Sequence, residues 1–294
     1  MRISVIGCGY LGAVHAACMA KLGHEVIGID VDERKIAALS AAKAPFFEPG
    51  LDELLKEVQA TGRLSFTTDM SAASGSSVHF ICVGTPQKKG ENGADMSYVD
   101  AATQGLLNHL APGDLVVGKS TVPVGTASRL GQLIHSRQPE AHLVWNPEFL
   151  REGHAVADTL GPDRFVYGVV DGSEENIAVS VLDEVYAAPL ADGVPRLVTD
   201  HATAELVKAA ANSFLATKIS FINAMAEVCE AAGADVTQLA DAIGMDDRIG
   251  RKFLNAGIGF GGGCLPKDIR AFMARAGELG ADQALTFLRE VDAI

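Results

Sequence analysis

The stretch "VIGCGYLGAVHA" (residues 5–16) decides the fold of this chain. Gly7, Gly9 and Gly12 have G-x-G-x-x-G spacing, follow an apolar run that begins at residue 2, and lead into an alanine-rich helical run. In such a strand–turn–helix the first glycine permits a tight turn, the second lets a pyrophosphate approach the backbone, and the third permits close helix–strand packing. The sequence therefore predicts a dinucleotide-binding α/β unit at its start.

The next apolar run, "EVIGID" (25–30), supplies an acid that qualifies the cofactor. Asp30 ends this run, at the distance from the glycines expected of a carboxylate that binds a ribose 2′-hydroxyl. A carboxylate there repels a 2′-phosphate and favours NAD over NADP, although Arg34 and Lys35 follow closely and weaken that preference. FAD uses the same glycine spacing, and a glycine-rich turn without a cofactor is the structural alternative.

Four further apolar runs have a strand-like pattern. They are "VHFICVG" (78–84), "LVVGKS" (115–120), "HLVWNP" (142–147) and "FVYGVV" (165–170). Nearly continuous hydrophobic runs are typical of strands buried on both faces of a parallel sheet, and the segments between them are long enough for crossover helices. Residues 1–199 are therefore predicted to form an α/β domain with a Rossmann-like, doubly wound parallel sheet.

The pattern becomes helical near residue 200. The stretch from Asp200 to Gly233 has no strand signal and no proline, and its apolar residues recur at helical spacing. We expect one long helix that begins at Asp200 or Thr203 and ends at Gly233, followed by a second helical region over about 235–254. Residues 200–294 are predicted to form an all-α central domain.

Bulk composition limits the classes of function. The 294 residues are 48% hydrophobic and carry a net charge of -13, with a pI near 5.0. This charge argues against binding to nucleic acid or to an anionic membrane. The five cysteines are widely spaced without a C-x-x-C pair, which indicates free thiols in a reducing compartment. With no signal peptide and no apolar run of about 20 residues, we expect a cytoplasmic protein, and we predict no metal site.

The stretch "GFGGGCLPKD" (259–268) singles out one cysteine. Cys264 stands at the predicted start of a helix, because Pro266 suits a first helical turn and the residues after it have helical spacing. A helix N-terminus and the nearby Lys267 stabilise a thiolate and lower a thiol pKa. The preceding glycines let a substrate approach the sulfur, so Cys264 is a candidate nucleophile. The alternative is an inert cysteine at a helix start, with Asp268 favouring only the helix dipole.

Two further motifs carry candidate polar groups. Lys208 and Asn212 are four residues apart in the long predicted helix and share one face, where a desolvated lysine can act as an acid–base group or polarise an oxygen. The alternative is a solvated polar stripe. The stretch "WNPEFLREG" (145–153) closes a predicted strand, so Glu148 and Glu152 lie over the ligand crevice, where a carboxylate can activate water. The alternative is an acid at a helix start after a proline.

The stretches "CVGTP" (82–86) and "STVPVG" (120–125) also close predicted strands. Loops at the carboxyl ends of parallel strands line the ligand crevice, which makes Thr85 and Thr121 candidate cofactor contacts. A hydroxyl that only caps the local backbone is the alternative for each of them.

Six motifs stand in the order found in one enzyme family. They are "GCGYLG", "CVGTP", "STVPVGT", "NPEFLREG", "VKAAANSF" and "GFGGGCLPKD". Over essentially its whole length the chain thereby resembles the nucleotide-sugar 6-dehydrogenases. The resemblance implies an N-terminal Rossmann-like domain, a central helix and a second Rossmann-like domain that binds the nucleotide. Because the chain stops at Ile294, we expect it to correspond to the N-terminal and central portions, without the C-terminal UDP-binding domain.

The resemblance also implies a reaction, the oxidation of a sugar C6 alcohol to a carboxylate with reduction of two NAD. Cys264 would form a thiohemiacetal and then a thioester, which water activated near Glu148 would release. Lys208 would stabilise oxyanion character. The implied catalytic residues are Cys264, Lys208, Asn212, Glu148, Asp268 and Thr121.

Two sets of binding residues follow from the same resemblance. The residues that approach NAD are Gly7, Gly9, Tyr10, Leu11, Gly12, Asp30, Lys35, Val83, Gly84, Thr85, Thr121, Glu152 and Lys267. The residues that approach the substrate are Glu148, Phe149, Leu150, Lys208, Asn212, Arg248, Phe253, Asn255, Gly257 and Gly261. Arg248 matches a family arginine that reaches the substrate of the partner subunit, which implies a homodimer built on the central helix.

Several interpretations of the activity compete. The stretch "AAANSFLATKISFINAMAEVCE" (209–230) resembles the UDP-glucose members of the family more than those that use GDP-mannose or a UDP-N-acetyl-hexosamine. A two-electron hydroxyacid-type dehydrogenase would share the glycine motif and need no cysteine. A non-catalytic NAD-binding dimerisation module would leave Cys264 without a role. We expect a NAD-dependent nucleotide-sugar 6-dehydrogenase that acts on UDP-glucose.

Overall fold

One eight-stranded sheet organises the first two thirds of the chain in the computed structural model, which describes all residues from Met1 to Ile294. Its strands are β1 (Arg2–Ile6), β2 (Glu25–Ile29), β3 (Leu64–Thr67), β4 (Val78–Ile81), β5 (Leu115–Gly118), β6 (His142–Trp145), β7 (Phe165–Val169) and β8 (Arg196–Asp200). The order across the sheet is β3-β2-β1-β4-β5-β6-β7-β8, and every neighbouring pair is parallel except β6 and β7. This confirms the predicted doubly wound sheet.

Helices cover the sheet between successive strands. They are α1 (Tyr10–Lys21), α2 (Glu33–Ser40), α3 (Leu51–Ala60), α4 (Ser97–Leu106), α5 (Thr126–Arg137), α6 (Ala155–Leu160), α7 (Ile177–Val185) and α8 (Ala187–Ala191). Strands β4 and β5 are buried along their whole length. Because helices cover both faces of these strands, all of their side chains are buried, which explains the continuous apolar runs that predicted them.

The two strands that the sequence patterns missed, β3 and β8, are the edge strands of the sheet. Each keeps several residues partly or fully exposed. A half-exposed edge needs no continuous hydrophobic run, so "LSFT" and "RLVTD" gave no strong strand signal.

A buried polar chain crosses the centre of the sheet. The hydroxyl of Ser4 on β1 lies 2.7 Å from Nδ1 of His79 on β4, and Nε2 of His79 lies 3.2 Å from Oδ2 of Asp114. Asp114 also accepts a hydrogen bond from the amide of Ala111 at 2.7 Å. All three side chains are buried, so their hydrogen bonds replace those that water would make.

The chain divides into two compact units: Met1–Thr85 with Met96–Leu206, and Pro86–Asp95 with Val207–Ile294. The long helix α9 (His201–Ala232) begins where predicted, with the Asp200 carboxylate accepting the amide of Thr203 at 2.8 Å. It ends before Gly233, whose φ of 72° is the left-handed conformation that stops a helix.

The second unit adds α10 (Val236–Gly244), α11 (Leu265–Glu278) and α12 (Phe287–Ala293). The predicted helical region over 235–254 is wrong in its second half, because α10 ends at Gly244. A Cβ on Gly244 would lie 2.8 Å from the Cα of Arg251, so the chain folds back tightly here. Two small apolar clusters form the core of this unit, one around Ile269 and Leu288 and one around Ile222 and Leu254. None of the helices combines the length and apolarity that a membrane crossing requires.

Candidate active site

The glycine-rich loop after β1 leaves open space at its second glycine and none at its third. A Cβ on Gly12 would lie 1.7 Å from the carbonyl oxygen of Gly7, so only glycine allows α1 to pack this closely on the loop. At Gly9, which caps α1, an added Cβ would meet nothing within 4 Å. The space over this helix N-terminus suits an anionic pyrophosphate, which fits NAD.

Asp30, which follows β2, braces this loop. Its buried carboxylate accepts the amide of Cys8 at 2.8 Å and the amide of Asp32 at 2.9 Å. The ammonium of Lys35 lies 3.3 Å from the same carboxylate. The acid predicted to bind a ribose therefore also fixes the backbone of the glycine-rich loop, and its negative charge stands at the carboxyl edge of the sheet.

The loops that follow β4 and β5 are tied to each other. The hydroxyl of Thr85 donates to the carbonyl oxygen of Thr121 at 2.7 Å, and the hydroxyl of Ser120 donates to the carbonyl oxygen of Val83 at 2.7 Å. The Thr85 hydroxyl thus bonds the backbone of the loop after β5 and does not cap its own turn, and a contact of Thr85 with the cofactor stays a prediction. Thr121 is half-buried, and Gly84 is exposed.

The segment after β6 carries both predicted carboxylates. Glu148 is half-buried and accepts the amide of Leu150 at 2.8 Å, whereas Glu152 is exposed. The guanidinium carbon of Arg164 lies 3.8 Å from the ring centroid of Phe149, a cation–π contact that holds this side chain. The acids are not at a helix start, because the next helix, α6, begins only at Ala155.

One buried acid near the glycine-rich loop was missed by the sequence patterns. Glu48 accepts a hydrogen bond from the hydroxyl of Tyr10 and from the amides of Gly153 and Ala155 at 2.9 and 2.8 Å. Its only sequence signal is the placement of an acid within "PFFEPG" (45–50), between aromatic residues and a Pro-Gly turn.

Cys264 differs from the other cysteines in its surroundings. It is exposed and directly precedes α11, which begins at Leu265, whereas the other four cysteines are buried. Burial raises the pKa of Cys18 and Cys82 to about 12 and raises that of Cys8 further. At a helix N-terminus the partial positive charge of the free amides favours a thiolate. Cys264 is therefore the cysteine placed to react.

A buried carboxylate lies one turn after Cys264. Asp268 accepts a hydrogen bond from Nδ2 of Asn212 at 2.7 Å and from Nζ of Lys267 at 2.5 Å. Asn212 is 8% exposed and Lys208, one turn earlier on α9, is 6% exposed. The alternative of a solvated polar stripe on α9 is therefore wrong. The structure brings Cys264, Lys267, Asp268 and Asn212 into one neighbourhood of the second unit.

The predicted substrate-binding stretch before Cys264 has an irregular backbone. Phe253 has a φ of 66°, and Gly262 has a φ of 78°, a conformation that a glycine adopts without strain. The amide of Gly257 donates to Oδ1 of Asn223 at 2.9 Å. Gly261, next to Gly262, is exposed, so this stretch presents backbone groups to solvent.

The remaining two predicted substrate residues are held by neighbours. Oδ1 of Asn255 accepts from Nη1 of Arg251 at 2.8 Å. The guanidinium of Arg248 is bonded to both carboxylate oxygens of Asp246 in the turn after α10, and its side chain is largely exposed. The structure places the Arg248 side chain at the surface, paired with Asp246.

Comparisons with known proteins agree with this architecture. The model of the NAD binding domain of the UDP-glucose/GDP-mannose dehydrogenase family matches residues 1–189, and the model of the central domain of that family matches residues 202–294. A UDP-glucose 6-dehydrogenase of Rhizobium meliloti (strain 1021) is 48% identical over 279 residues, which cover 94% of this chain and 63% of that protein.

Two solved structures extend the comparison. A UDP-glucose dehydrogenase from the archaeon Pyrobaculum islandicum superposes with a TM-score of 0.91 at 40% identity, covering 99% of this chain and 68% of that one. A GDP-mannose dehydrogenase from Pseudomonas aeruginosa has a TM-score of 0.78 at 36% identity, covering 100% of this chain and 68% of that one.

The chain thus spans somewhat less than two thirds of the length of the curated relative from Rhizobium meliloti. The two family models together account for almost all of its residues, and the glycine-rich loop with Asp30 fits the NAD that the first model specifies. The chain belongs to the UDP-glucose/GDP-mannose dehydrogenase family.

Proposed function

We propose that this protein oxidises the C6 alcohol of UDP-glucose to a carboxylate, with NAD as the oxidant and Cys264 as the covalent nucleophile. The observation that carries this proposal is the setting of Cys264. It is an exposed thiol at the N-terminus of α11, one turn before a buried carboxylate that Asn212 and Lys267 hold. A two-electron alcohol dehydrogenase needs no such thiol.

The first oxidation converts the C6 alcohol to an aldehyde. The O6 proton passes to a base and a hydride leaves C6. Bound NAD would supply the hydride acceptor for this step and for the second oxidation. The buried Lys208 supplies a positive charge that stabilises the alkoxide as it forms. The Asn212 amide, fixed by Asp268, is held in a defined orientation beside it on α9.

The second oxidation passes through the sulfur. The Cys264 thiolate attacks the aldehyde carbon, a C–S bond forms, and the resulting alkoxide is stabilised by Lys208 and Asn212. Loss of a second hydride gives a thioester. A water molecule activated by Glu148 then attacks the carbonyl carbon, the C–S bond breaks, and the thiolate leaves. In sum, one alcohol, one water and two NAD give one carboxylate, two NADH and three protons.

The comparisons support UDP-glucose as the sugar nucleotide. The UDP-glucose 6-dehydrogenase of Rhizobium meliloti is 48% identical to this chain, whereas the GDP-mannose dehydrogenase is 36% identical. UDP-glucose is therefore assigned by this similarity.

We also propose that the protein is a homodimer that pairs along α9. Phe214, Phe221 and Val228 are 67%, 48% and 56% exposed and recur every seven residues. Residues at this spacing drift only about 20° around a helix, so they form one apolar row. A second copy of the same helix offers the same row, which is the self-complementary surface that a two-fold dimer requires. The family resemblance of Arg248 points to the same partner.

The test is the number of NADH molecules formed per molecule of limiting UDP-glucose, followed by absorbance with NAD in excess. Two NADH per sugar support the four-electron reaction, and replacement of Cys264 with serine should then stop the reaction after the first oxidation at most. One NADH per sugar overturns the thioester mechanism. NADH formed from GDP-mannose but not from UDP-glucose overturns the substrate assignment.

A further inference from the structure

Three segments that are far apart in the sequence meet at the side chain of Glu48. Its Oε2 accepts from the hydroxyl of Tyr10 and from the amide of Gly153 at 2.9 Å, and its Oε1 accepts from the amide of Ala155 at 2.8 Å. Glu48 itself is only 6% exposed. A carboxylate uses both oxygens as acceptors here, and such charge-assisted hydrogen bonds are about twice as strong as neutral ones.

Tyr10 is held in its role as a donor. Burial and the hydrogen bond to Glu48 raise the pKa of the Tyr10 hydroxyl far above its usual value, so it keeps its proton. The Tyr10 ring also packs against Phe46, with ring centroids 5.0 Å apart. The two contacts together fasten the first residue of α1, inside the glycine-rich loop, to the segment that carries Glu48.

The segment that carries Glu48 connects α2 and α3 and is fixed at both sides. The amide of Ala44 donates to the Asp52 carboxylate at 2.8 Å, and Gly50, with a φ of 78°, turns the chain into α3. Glu48 therefore projects from a rigid loop. A rigid support is what allows one side chain to set the position of others.

The third segment lies beside a predicted cofactor contact. Gly153, with a φ of 84°, and Ala155 directly follow the exposed Glu152, and the same segment begins with Glu148. The Gly153 amide donates to the Glu48 carboxylate at 2.9 Å and to the Tyr10 hydroxyl at 3.2 Å. Loss of the Glu48 carboxylate would remove the acceptor that holds the Gly153 and Ala155 amides of this turn.

We infer that Glu48 is a positioning residue for NAD, coupling the 151–155 turn to the glycine-rich loop so that both binding elements are preformed. This inference rests on the proposed placement of Glu152 against NAD. Preformed elements lose less conformational entropy on binding, and the affinity for NAD should therefore depend on Glu48 although it need not touch the cofactor.

The test compares Glu48→Gln with Glu53→Gln, a matched change at an exposed acid on α3. Glutamine offers one acceptor oxygen and one NH2 group to three converging donors, so one donor must lose its partner. We expect the dissociation constant for NAD, followed by fluorescence of the single tryptophan Trp145, to rise about tenfold. Hydrogen exchange of the Gly153 and Ala155 amides should accelerate. The Glu53→Gln chain should match the wild type in both.

Tyr10→Phe provides a milder second variant that removes only the hydroxyl. The double variant should weaken NAD binding by less than the product of the two single effects, because Tyr10 and Glu48 belong to the same hydrogen-bond network. A folded Glu48→Gln chain with wild-type affinity, or fully additive effects, overturns the inference. If Glu48→Gln weakens NAD binding but the wild type yields no NADH from UDP-glucose, the proposed reaction fails and the positioning role stands.

Discussion

The side-chain nitrogen Nδ2 of Asn212 lies 2.7 Å from the carboxylate of Asp268, and this hydrogen bond joins α9 to α11, which begins directly after Cys264. Asp268 is 3% exposed and also accepts from Lys267. A buried carboxyl group with two donors is held in a fixed position. It orients Asn212 so that this side chain's remaining polar groups point in a defined direction.

Replacing Asp268 with asparagine should lower turnover of UDP-glucose about 100-fold, a typical loss for a positioned acid–base or orienting group. Asparagine replaces one acceptor oxygen with an amide NH2 group, which can only donate, so either Asn212 or Lys267 loses its partner. The measurement is the initial rate of NADH formation. The exposed Asp282→Asn serves as the charge-matched control. Equal rates for both variants would contradict a role for Asp268.

Iodoacetamide should label Cys264 well before any other cysteine. The other four thiols are buried and so inaccessible to the reagent, and burial also raises the pKa of Cys8, Cys18 and Cys82, which disfavours their thiolates. Peptide mapping by mass spectrometry after brief labelling near pH ~7.5 measures the selectivity. The Cys264→Ser chain should remain essentially unlabelled under the same conditions. Labelling of the buried Cys82 as early as Cys264 would contradict the predicted selectivity.

Alanine at Gly12 should lower stability, whereas alanine at Gly9 should lower the affinity for NAD. At Gly12 the added methyl would meet the Gly7 carbonyl oxygen, so the free energy of unfolding should fall by about 3 kcal/mol. At Gly9 the methyl enters open space, so stability should hardly change while NAD affinity falls at least about tenfold because the methyl occupies the pyrophosphate position. Urea unfolding and NAD titration separate the two. A stable Gly12→Ala chain would overturn the packing argument.

The protein should lose stability as the pH falls below about 6.5, in part through His15. His15 is 1% exposed, and burial, followed by the charges of Lys119 and His24, lowers its pKa well below the usual value. Below the ordinary histidine pKa, the unfolded chain therefore binds a proton at His15 that the folded chain does not bind. The free energy of unfolding should fall by up to about 1.4 kcal/mol per pH unit for this residue, with full stability above that range.

The check is urea unfolding of His15→Phe at about pH 7.5 and pH 5.5, on either side of the ordinary histidine pKa. The variant should lose less stability than the wild type between the two values. His135→Gln, at an exposed histidine, is the control and should keep the wild-type difference. His24 and His201 also have lowered pKa values, so part of the acid sensitivity should remain in His15→Phe.

A charge in the apolar row of α9 should separate the proposed dimer. Phe221→Asp changes a side chain that is about half exposed, so the fold should persist while a buried interface charge opposes association. Sedimentation velocity measures the outcome, with Ile177→Asp on α7 as an exposed apolar control outside the row. A wild-type chain that sediments as a monomer would overturn the dimer directly.

The sequence predicted the six strands that lie inside the sheet, because burial on two faces forces a continuous hydrophobic run. It missed the edge strands β3 and β8, whose exposed residues carry no such constraint. It also extended α10 about ten residues too far, to Leu254 instead of Gly244, since periodicity does not report the close approach of Arg251 to Gly244.

Within the site, spacing identified Cys264 and placed Lys208 and Asn212 on one face of α9. It could not decide whether that face was buried, which depends on tertiary packing. Glu48 was missed because its donors lie 38, 105 and 107 residues away in the sequence, and no local pattern records such separations.

The polar chain of Ser4, His79 and Asp114 has a consequence for how the sheet assembles. Ser4 is opposite His79 in the pairing of β1 and β4. A shift of either strand by one residue would turn these side chains to the opposite face and bury donors and acceptors without partners. The three residues therefore specify the register of the strands. Hydrophobic packing alone would allow more than one register, whereas these hydrogen bonds can form in only one.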